Sequence, residues 1–581
     1  MHWRRRTANW PPSRHGMTDR TIGVAIATSP CLLIALGVLA VLCGCSETDT
    51  VSDSGPPWFV DEAARRGIDF EHRSGHSGDR HHLPEITGSG AALADVDGDG
   101  DLDAYIVQSG DVLGRGEQPG NRLYLNDGRG RFEAAPEGHG ADDRGYGMGV
   151  TVGDYDNDGD VDLYVTNWGP NVLLRNDGDG RFEDVTDEAG VGDAAWSASG
   201  AFLDLDTDGD LDLYVANYIN WTPLAEIDCY IAGLLTYCPP GNYDAPAVDT
   251  LYRNNGDGTF TDVSGEAGLA NAFGNGFGVV GADFNRDGRM DVFVANDMMV
   301  NQLWLNQGNL RFKEEALLWG CGVDRNGLAK AGMGVAAGDV DDDGDDDLLV
   351  VNLEGQTDSF FRNDGNWFTD ATAEVGLAVT SRRYTRFGVV LADFDNDSRL
   401  DLYQANGRVV AGELRVGDIY VEPNVLFRGV GRGRFVDVAP LGGTAEPLIH
   451  TSRGLAVGDV DDDGGMDLLV VNRDAPAYLL MNRVPGRGNW IRFRVVGREG
   501  RDAHGAIVSA TVGTMRLNRN VRPEGSYLSS NDPQVHFGLG AETAVGNVVV
   551  LWPTGEEETF GDFTAGESVE LRQGAGTLAL P

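Results

Sequence analysis

The segment DVDGDGDLDAYIV, residues 95–107, decides how the rest of the chain is read. Five aspartates fall within its first nine positions, and an apolar run follows. Like charges this close repel unless something of opposite sign joins them. The chain nevertheless rebuilds the unit six more times, starting at Asp154, Asp204, Asp283, Asp339, Asp393 and Asp459. Positions 1, 5 and 9 are aspartate in every copy.

Clustered oxygen ligands around a sharp turn suit a hard cation of high coordination number, so the spacing predicts calcium, with up to seven sites. Side-chain oxygens come from positions 1, 3, 5 and 9. They are Asp95, Asp97, Asp99 and Asp103 in the first copy, and Asp154, Asp156, Asp158 and Asp162 in the second. The third has Asp204, Asp206, Asp208 and Asp212; the fourth has Asp283, Asn285, Asp287 and Asp291. Then come Asp339, Asp341, Asp343 and Asp347, followed by Asp393, Asp395, Asp397 and Asp401, and finally Asp459, Asp461, Asp463 and Asp467. Position 7 contributes its backbone carbonyl, consistent with its variation among Asp101, Asp160, Asp210, Arg289, Asp345, Arg399 and Gly465. Position 6 is glycine except at Ser398, which predicts the weakest site in the sixth copy. The start resembles an EF-hand loop, but position 12 of the first copy is Ile106, inside a strand pattern, where an EF-hand needs a glutamate. The loop therefore joins strands.

Each acidic unit follows a glycine-punctuated apolar segment such as GMGVTVGD and precedes a run such as LYVTN. Most continue through an Asn-Gly or Asp-Gly turn, as in NVLLRNDGDGRFEDVT, which is a hairpin signal. One unit thus reads as four short strands. Seven such units predict an all-β chain with a seven-bladed β-propeller over residues 57–484. The closing Phe-x-Asp strand also occurs ahead of the first acidic loop, in WFVDEAARRGI at residues 58–68, and is missing after the seventh. The N-terminal strand is therefore expected to complete the last blade and remove its open edge. Beyond residue 484 the period stops, and NWIRFRVVG, AIVSATVG, QVHFGLG and NVVVLWPTG predict a separate small β domain over 485–581.

The net charge of −46 argues against phosphate neutralisation and hence against nucleic-acid binding. At the N-terminus, three arginines precede CLLIALGVLAVLCGC, residues 31–45. Its ending LCGC resembles the lipobox of bacterial lipoproteins, with Cys43 departing from the usual small residue, and makes Cys45 the lipidation candidate. This predicts a leader at 1–45, a tether at 46–56 and a lipid-anchored place in the bacterial cell envelope, periplasmic or outer. An uncleaved anchor is the alternative, and Met17 is a second candidate start. In that compartment Cys229 and Cys238, flanking a loop, are expected to form a disulfide. The loop belongs to an insertion with Tyr218, Trp221, Tyr230, Tyr237 and Tyr243, which either bind something or pack over the end of a blade.

The repeats resemble the FG-GAP (VCBS) repeats of integrin α-chain propellers and many bacterial surface proteins. The segment DAHGAIVSATVGTMRLNRNVRPEGSYLSSNDPQVHFGLG with VVVLWPTG resembles the ASPIC/UnbV domain. Together, over roughly residues 57–571, they resemble the cartilage acidic protein family and its bacterial relatives. The resemblance implies an extracytoplasmic calcium-binding propeller of adhesive or scaffolding kind, with a protein or glycan partner, and supplies no reaction. Four histidines gather at His72, His76, His81 and His82, either as a metal or acid–base site or as a surface segment. No GxSxG or phosphate loop is present. The sequence thus favours a binding protein, with a glycan-binding propeller as the alternative and a polysaccharide-acting enzyme as the minority reading.

Overall fold

The computed structural model describes residues 55–78, 80–116, 118–412 and 415–578. The leader, Cys45 and the tether up to residue 54 lie outside the described residues. Among the described residues, helices are only three or four residues long, and no helix is long and apolar enough to cross a membrane.

Seven four-stranded antiparallel sheets occupy the repeat region. The second is representative: Tyr146–Gly153, Asp162–Trp168, Val172–Asn176 and Phe182–Asp184 meander in chain order. The acidic loop joins its first two strands. The seventh sheet is composite. Ser452–Gly458, Asp467–Asn472 and Tyr478–Asn482 are joined by Phe59–Asp61 from the N-terminus, with Phe59 opposite Asn482 and Asp61 opposite Leu480. The early Phe-x-Asp strand takes the place its spacing predicted.

The first strands of the second, third, fourth and seventh sheets are buried along their whole length because neighbours cover both faces. Ala91–Ala94 packs against Tyr146–Gly153, and contact passes through Ser197–Leu203, Gly276–Ala282, Val335–Gly338 and Arg386–Ala392 to Ser452–Gly458. That strand packs in turn against Ala91–Ala94. The recurring glycines allow this approach: a Cβ on Gly334 would lie 2.2 Å from the Phe387 carbonyl oxygen, and one on Gly388 would lie 2.4 Å from Leu455 Cβ. Apolar layers fill the space between sheets, including one that joins Leu93 and Ile106 of the first to Leu469 and Leu479 of the seventh.

The C-terminal region has its own core, with Phe493, Val508, Phe537, Val550 and Trp552 buried between a three-stranded and a five-stranded sheet. It is more than an appendage. Residues 523–532, between its strands Met515–Asn520 and Val535–Gly540, run among the first strands of all seven sheets. Ser529 Oγ accepts hydrogen bonds from Ala91 N and Leu455 N, and Leu528 O accepts one from Val150 N. Leu528 N donates to Ser199 Oγ, and Gly281 N donates to Glu524 Oε1. Ser526 exchanges two backbone hydrogen bonds with Val335, and its hydroxyl accepts one from Val389 N. Tyr527 and Leu528, both fully buried, join Met148, Phe277, Met333 and Phe387 in one central cluster.

Candidate metal centre

The acidic loops share one hydrogen-bonding plan. In the second, Asp154 Oδ2 accepts from Gly159 N at 2.9 Å, and Asp158 Oδ1 accepts from Asp160 N at 3.0 Å. Asp162 Oδ1 accepts from Asn176 N at 2.8 Å, while its Oδ2 accepts from Tyr155 N at 3.1 Å. The bond from position 6 to position 1 recurs in all seven loops, as does that from position 7 to position 5. Such a turn needs a left-handed residue at position 6, where φ lies between 78° and 100°. Ser398 adopts +78° there, and its hydroxyl donates to the Gly538 carbonyl of the C-terminal region at 2.9 Å.

These turns leave carboxylate oxygens converging. Asp95, Asp97 and Asp99 bring ligand atoms within 4.8 Å of one another, as do Asp154, Asp156 and Asp162, and Asp204, Asp206 and Asp208. The same holds for Asp339, Asp341 and Asp343, and for Asp393, Asp395 and Asp401. Position 3 carries the sharpest feature. Oδ1 of Asp97, Asp156, Asp206, Asp341, Asp395 and Asp461 is buried and has no hydrogen-bond partner. In the fourth loop Asn285 Oδ1 accepts from Asp287 N instead. A buried anionic oxygen without a partner is costly, and the same atom recurs in six loops. The all-oxygen donor set around it fits calcium.

Electrostatics agree. Burial, reinforced by neighbouring carboxylates, pushes the position-9 carboxyls of Asp103, Asp212 and Asp291 up to about 8 and that of Asp347 to about 9. Asp162, Asp401 and Asp467 are held well above the usual range for the same reasons. A cation at the cluster would reverse this shift.

The loops differ in their basic neighbours. In the sixth, Arg428 lies 2.7 Å from Asp395 Oδ2 and 2.8 Å from Asp397 Oδ2. In the seventh, Arg66 and Arg483 approach Asp461 Oδ2, Arg487 approaches Asp463, and Arg492 lies 3.3 Å from Asp459. In the fourth, Arg289 pairs with Asp287. The carboxylates at positions 1, 3, 5 and 9 in the first, second, third and fifth loops have no such ion pair among those of the described residues. The Arg289 and Arg399 side chains turn to the position-5 carboxylates, which leaves position 7 only its main chain to offer. Two of these arginines, Arg487 and Arg492, belong to the C-terminal region, which covers this end of the sheets, and Arg501 of the same region donates to Asn157 Oδ1 and to the Gly209 carbonyl.

One recurring residue escaped the reading of the sequence. Asn126, Asn176, Asn254, Asn306 and Asn482 end the third strands of their sheets, and each donates Nδ2 to two carbonyls. One belongs to position 8 of the same sheet's loop, the other to position 2 of the preceding sheet's loop. Asn126 reaches Val460 O at 2.9 Å and so ties the first sheet to the seventh. Asn363 makes the corresponding link to Phe284 O. In the sixth sheet Gly429 stands at this place. Its mark in the sequence is an asparagine that opens the Asn-x-Gly turn of five repeats, at Asn126, Asn176, Asn254, Asn306 and Asn363, where it is indistinguishable from a residue of the turn itself.

At the opposite end of the sheets, the histidine segment is largely tied down. His76 Nδ1 and His82 Nδ1 each lie 2.8 Å from an oxygen of buried Glu85, and His72 Nε2 lies 3.0 Å from Ser109 Oγ. His81 packs on the rings of His76 and Tyr237, with its Nδ1 buried and unpartnered. Tyr218, Trp221 and Tyr237 of the insertion are buried, Tyr243 bonds to Glu226, and Tyr230 is 64% exposed. Cys229 and Cys238 form the expected disulfide.

The FG-GAP-like repeat model matches residues 95–165, 154–215, 228–294, 283–350 and 339–403, and the ASPIC and UnbV model matches 497–578. Cartilage acidic protein 1 of Xenopus tropicalis is 27% identical over 317 residues, covering 53% of this chain and 38% of that protein. The Homo sapiens protein is 28% identical over 316 residues, covering 53% and 37%. The chain thus spans under two-fifths of the length of the curated relatives it matches. A lectin from Burkholderia pseudomallei, BP39L, is similar in structure with a TM-score of 0.38 and 9% identity, covering 68% of this chain and 96% of that one. By the extent of its repeats and its C-terminal domain, the chain belongs to the FG-GAP-like repeat family and carries an ASPIC and UnbV domain.

Proposed function

We propose that this chain is an exported seven-bladed β-propeller, stiffened by calcium and anchored through Cys45, that binds a protein or glycan partner at the cell envelope as an adhesion or scaffold protein. The calcium part rests on one observation, the unpartnered position-3 oxygen that recurs in six loops. The contact cycle of the first strands supports the closed ring. Because the C-terminal region covers the acidic-loop end, partner binding is assigned to the opposite end or the outer strands. The glycan alternative keeps Tyr230 as its one exposed aromatic residue in the insertion. Equilibrium dialysis against calcium tests the metal reading: four to seven ions per chain are expected, with the arginine-crowded sixth and seventh loops filling last. Retention of no calcium at millimolar free ion refutes it. Fractionation of Cys45→Ala tests the anchor, which predicts release from membranes.

A further inference from the structure

A cavity of about 330 Å³ lies at the end of the sheets away from the acidic loops. Its wall includes Ile86, Phe277, Met333, Phe387, Tyr218 and Tyr230, and the Cys229–Cys238 hairpin closes one side. Asp297, just beyond the second strand of the fourth sheet, Asp291–Asn296, is the sole residue with a formally charged side chain among those lining it. Asp297 is 4% exposed. Its Oδ2 accepts a hydrogen bond from Tyr218 OH at 2.8 Å, whereas Oδ1 is buried and has no partner. No lysine, arginine or histidine lines the space to balance it.

A lone carboxylate in an apolar chamber is expensive whether it loses its proton or leaves an oxygen unbonded. Burial accordingly pushes the Asp297 carboxyl up to about 7. One kind of guest answers both demands. An N–H of a cationic amine bonds the free oxygen and balances its charge, while aromatic faces attract the ammonium and the aliphatic wall takes the apolar remainder. An anion meets repulsion here, and a neutral alcohol supplies the hydrogen bond without the charge. The rim is open: Tyr230, Met298 and Val410 line the cavity and are solvent-exposed. We propose that this cavity binds a small apolar organic ammonium, its N–H directed to Asp297 Oδ1 and its apolar body against the aromatic wall.

Isothermal titration calorimetry of the full chain with phenethylammonium, 2-phenylethanol and phenylacetate at pH 8 tests this. The ammonium should bind at least tenfold more tightly than the alcohol, and phenylacetate should give no heat. Asp297→Asn should weaken the ammonium tenfold or more and leave the alcohol within twofold. Val410→Lys, at the exposed rim where folding is not at stake, should weaken the ammonium through repulsion and narrowing of the mouth. Absence of binding by all three probes, binding of phenylacetate as tight as that of the ammonium, or unchanged ammonium affinity in both variants overturns the proposal.

Discussion

Replacing Tyr527 by alanine perturbs the seven sheets through a residue that belongs to none of them. Its side chain is fully buried, with the ring 4.9 Å from that of Phe387 and 5.3 Å from that of Phe277. Its hydroxyl donates to the Thr87 carbonyl at 3.0 Å. Removing a packed aromatic ring of this kind costs about 3–5 kcal/mol. Tyr527→Phe keeps the ring and removes one hydrogen bond, so its cost is about 0.5–1.5 kcal/mol, with the Thr87 oxygen left to find another donor. The residues flanking Tyr527 hydrogen-bond to the first strand of every sheet, so the alanine variant should loosen the first strands together. Denaturant unfolding gives the cost, and hydrogen exchange locates it. The amides of Val150, Val335, Val389 and Leu455 should exchange faster in concert. An alanine variant within about 0.5 kcal/mol of the parent, a value ordinary for neutral surface changes, would refute the coupling. So would faster exchange confined to residues 485–578.

Asn306→Ala removes donors to the buried Leu205 O and the half-buried Met290 O and should cost about 1–3 kcal/mol in unfolding free energy; an unchanged midpoint would mean that the asparagines do not stitch the sheets. Deleting residues 58–68 strips the fourth strand from the seventh sheet and should promote aggregation through the exposed edge, whereas deleting 47–55 should be almost neutral; equal solubility and melting of the two deletions contradicts this. Asp297 has a pKa raised to about 7 against 3.8 unfolded, so its ionisation favours the unfolded chain. The stability it permits is full below about pH 4 and falls as pH rises towards 7, by up to about 4 kcal/mol. Relative to the parent, Asp297→Asn should therefore gain stability between pH 4.5 and 7.5, as measured by paired chemical unfolding curves; a constant difference across that range counts against the assignment.

The acidic loops were legible because each is local: nine residues carry both the turn and its converging carboxylates, and the unit recurs seven times. The closing N-terminal strand was legible as a copy out of place, since Phe59–Asp61 matches the outer strands of sheets that lack none. The segment around Tyr527 was not. SYLSSND has no apolar period, and its partners are backbone amides hundreds of residues away, which leave no mark on sequence spacing. The aromatic insertion was ambiguous for a different reason. Tyr218, Trp221 and Tyr237 have the composition of a binding loop, and only the depth at which they settle, set by the segment carrying Leu83 and Ile86, separates packing from presentation. Asp297 carries no motif at all; its isolation inside an apolar chamber is a tertiary property.

The most direct test of the calcium assignment is the melting temperature of the full chain with calcium, with magnesium, and with chelator, at constant ionic strength. Each calcium ion that binds the folded and not the unfolded chain adds about 2.7 kcal/mol at a hundredfold excess over its dissociation constant. Several loops acting together should raise the melting point by many degrees with calcium. Magnesium, which demands a tighter octahedral shell, should do less. Identical melting in calcium and in chelator would contradict the assignment of the recurring position-3 oxygens as calcium ligands.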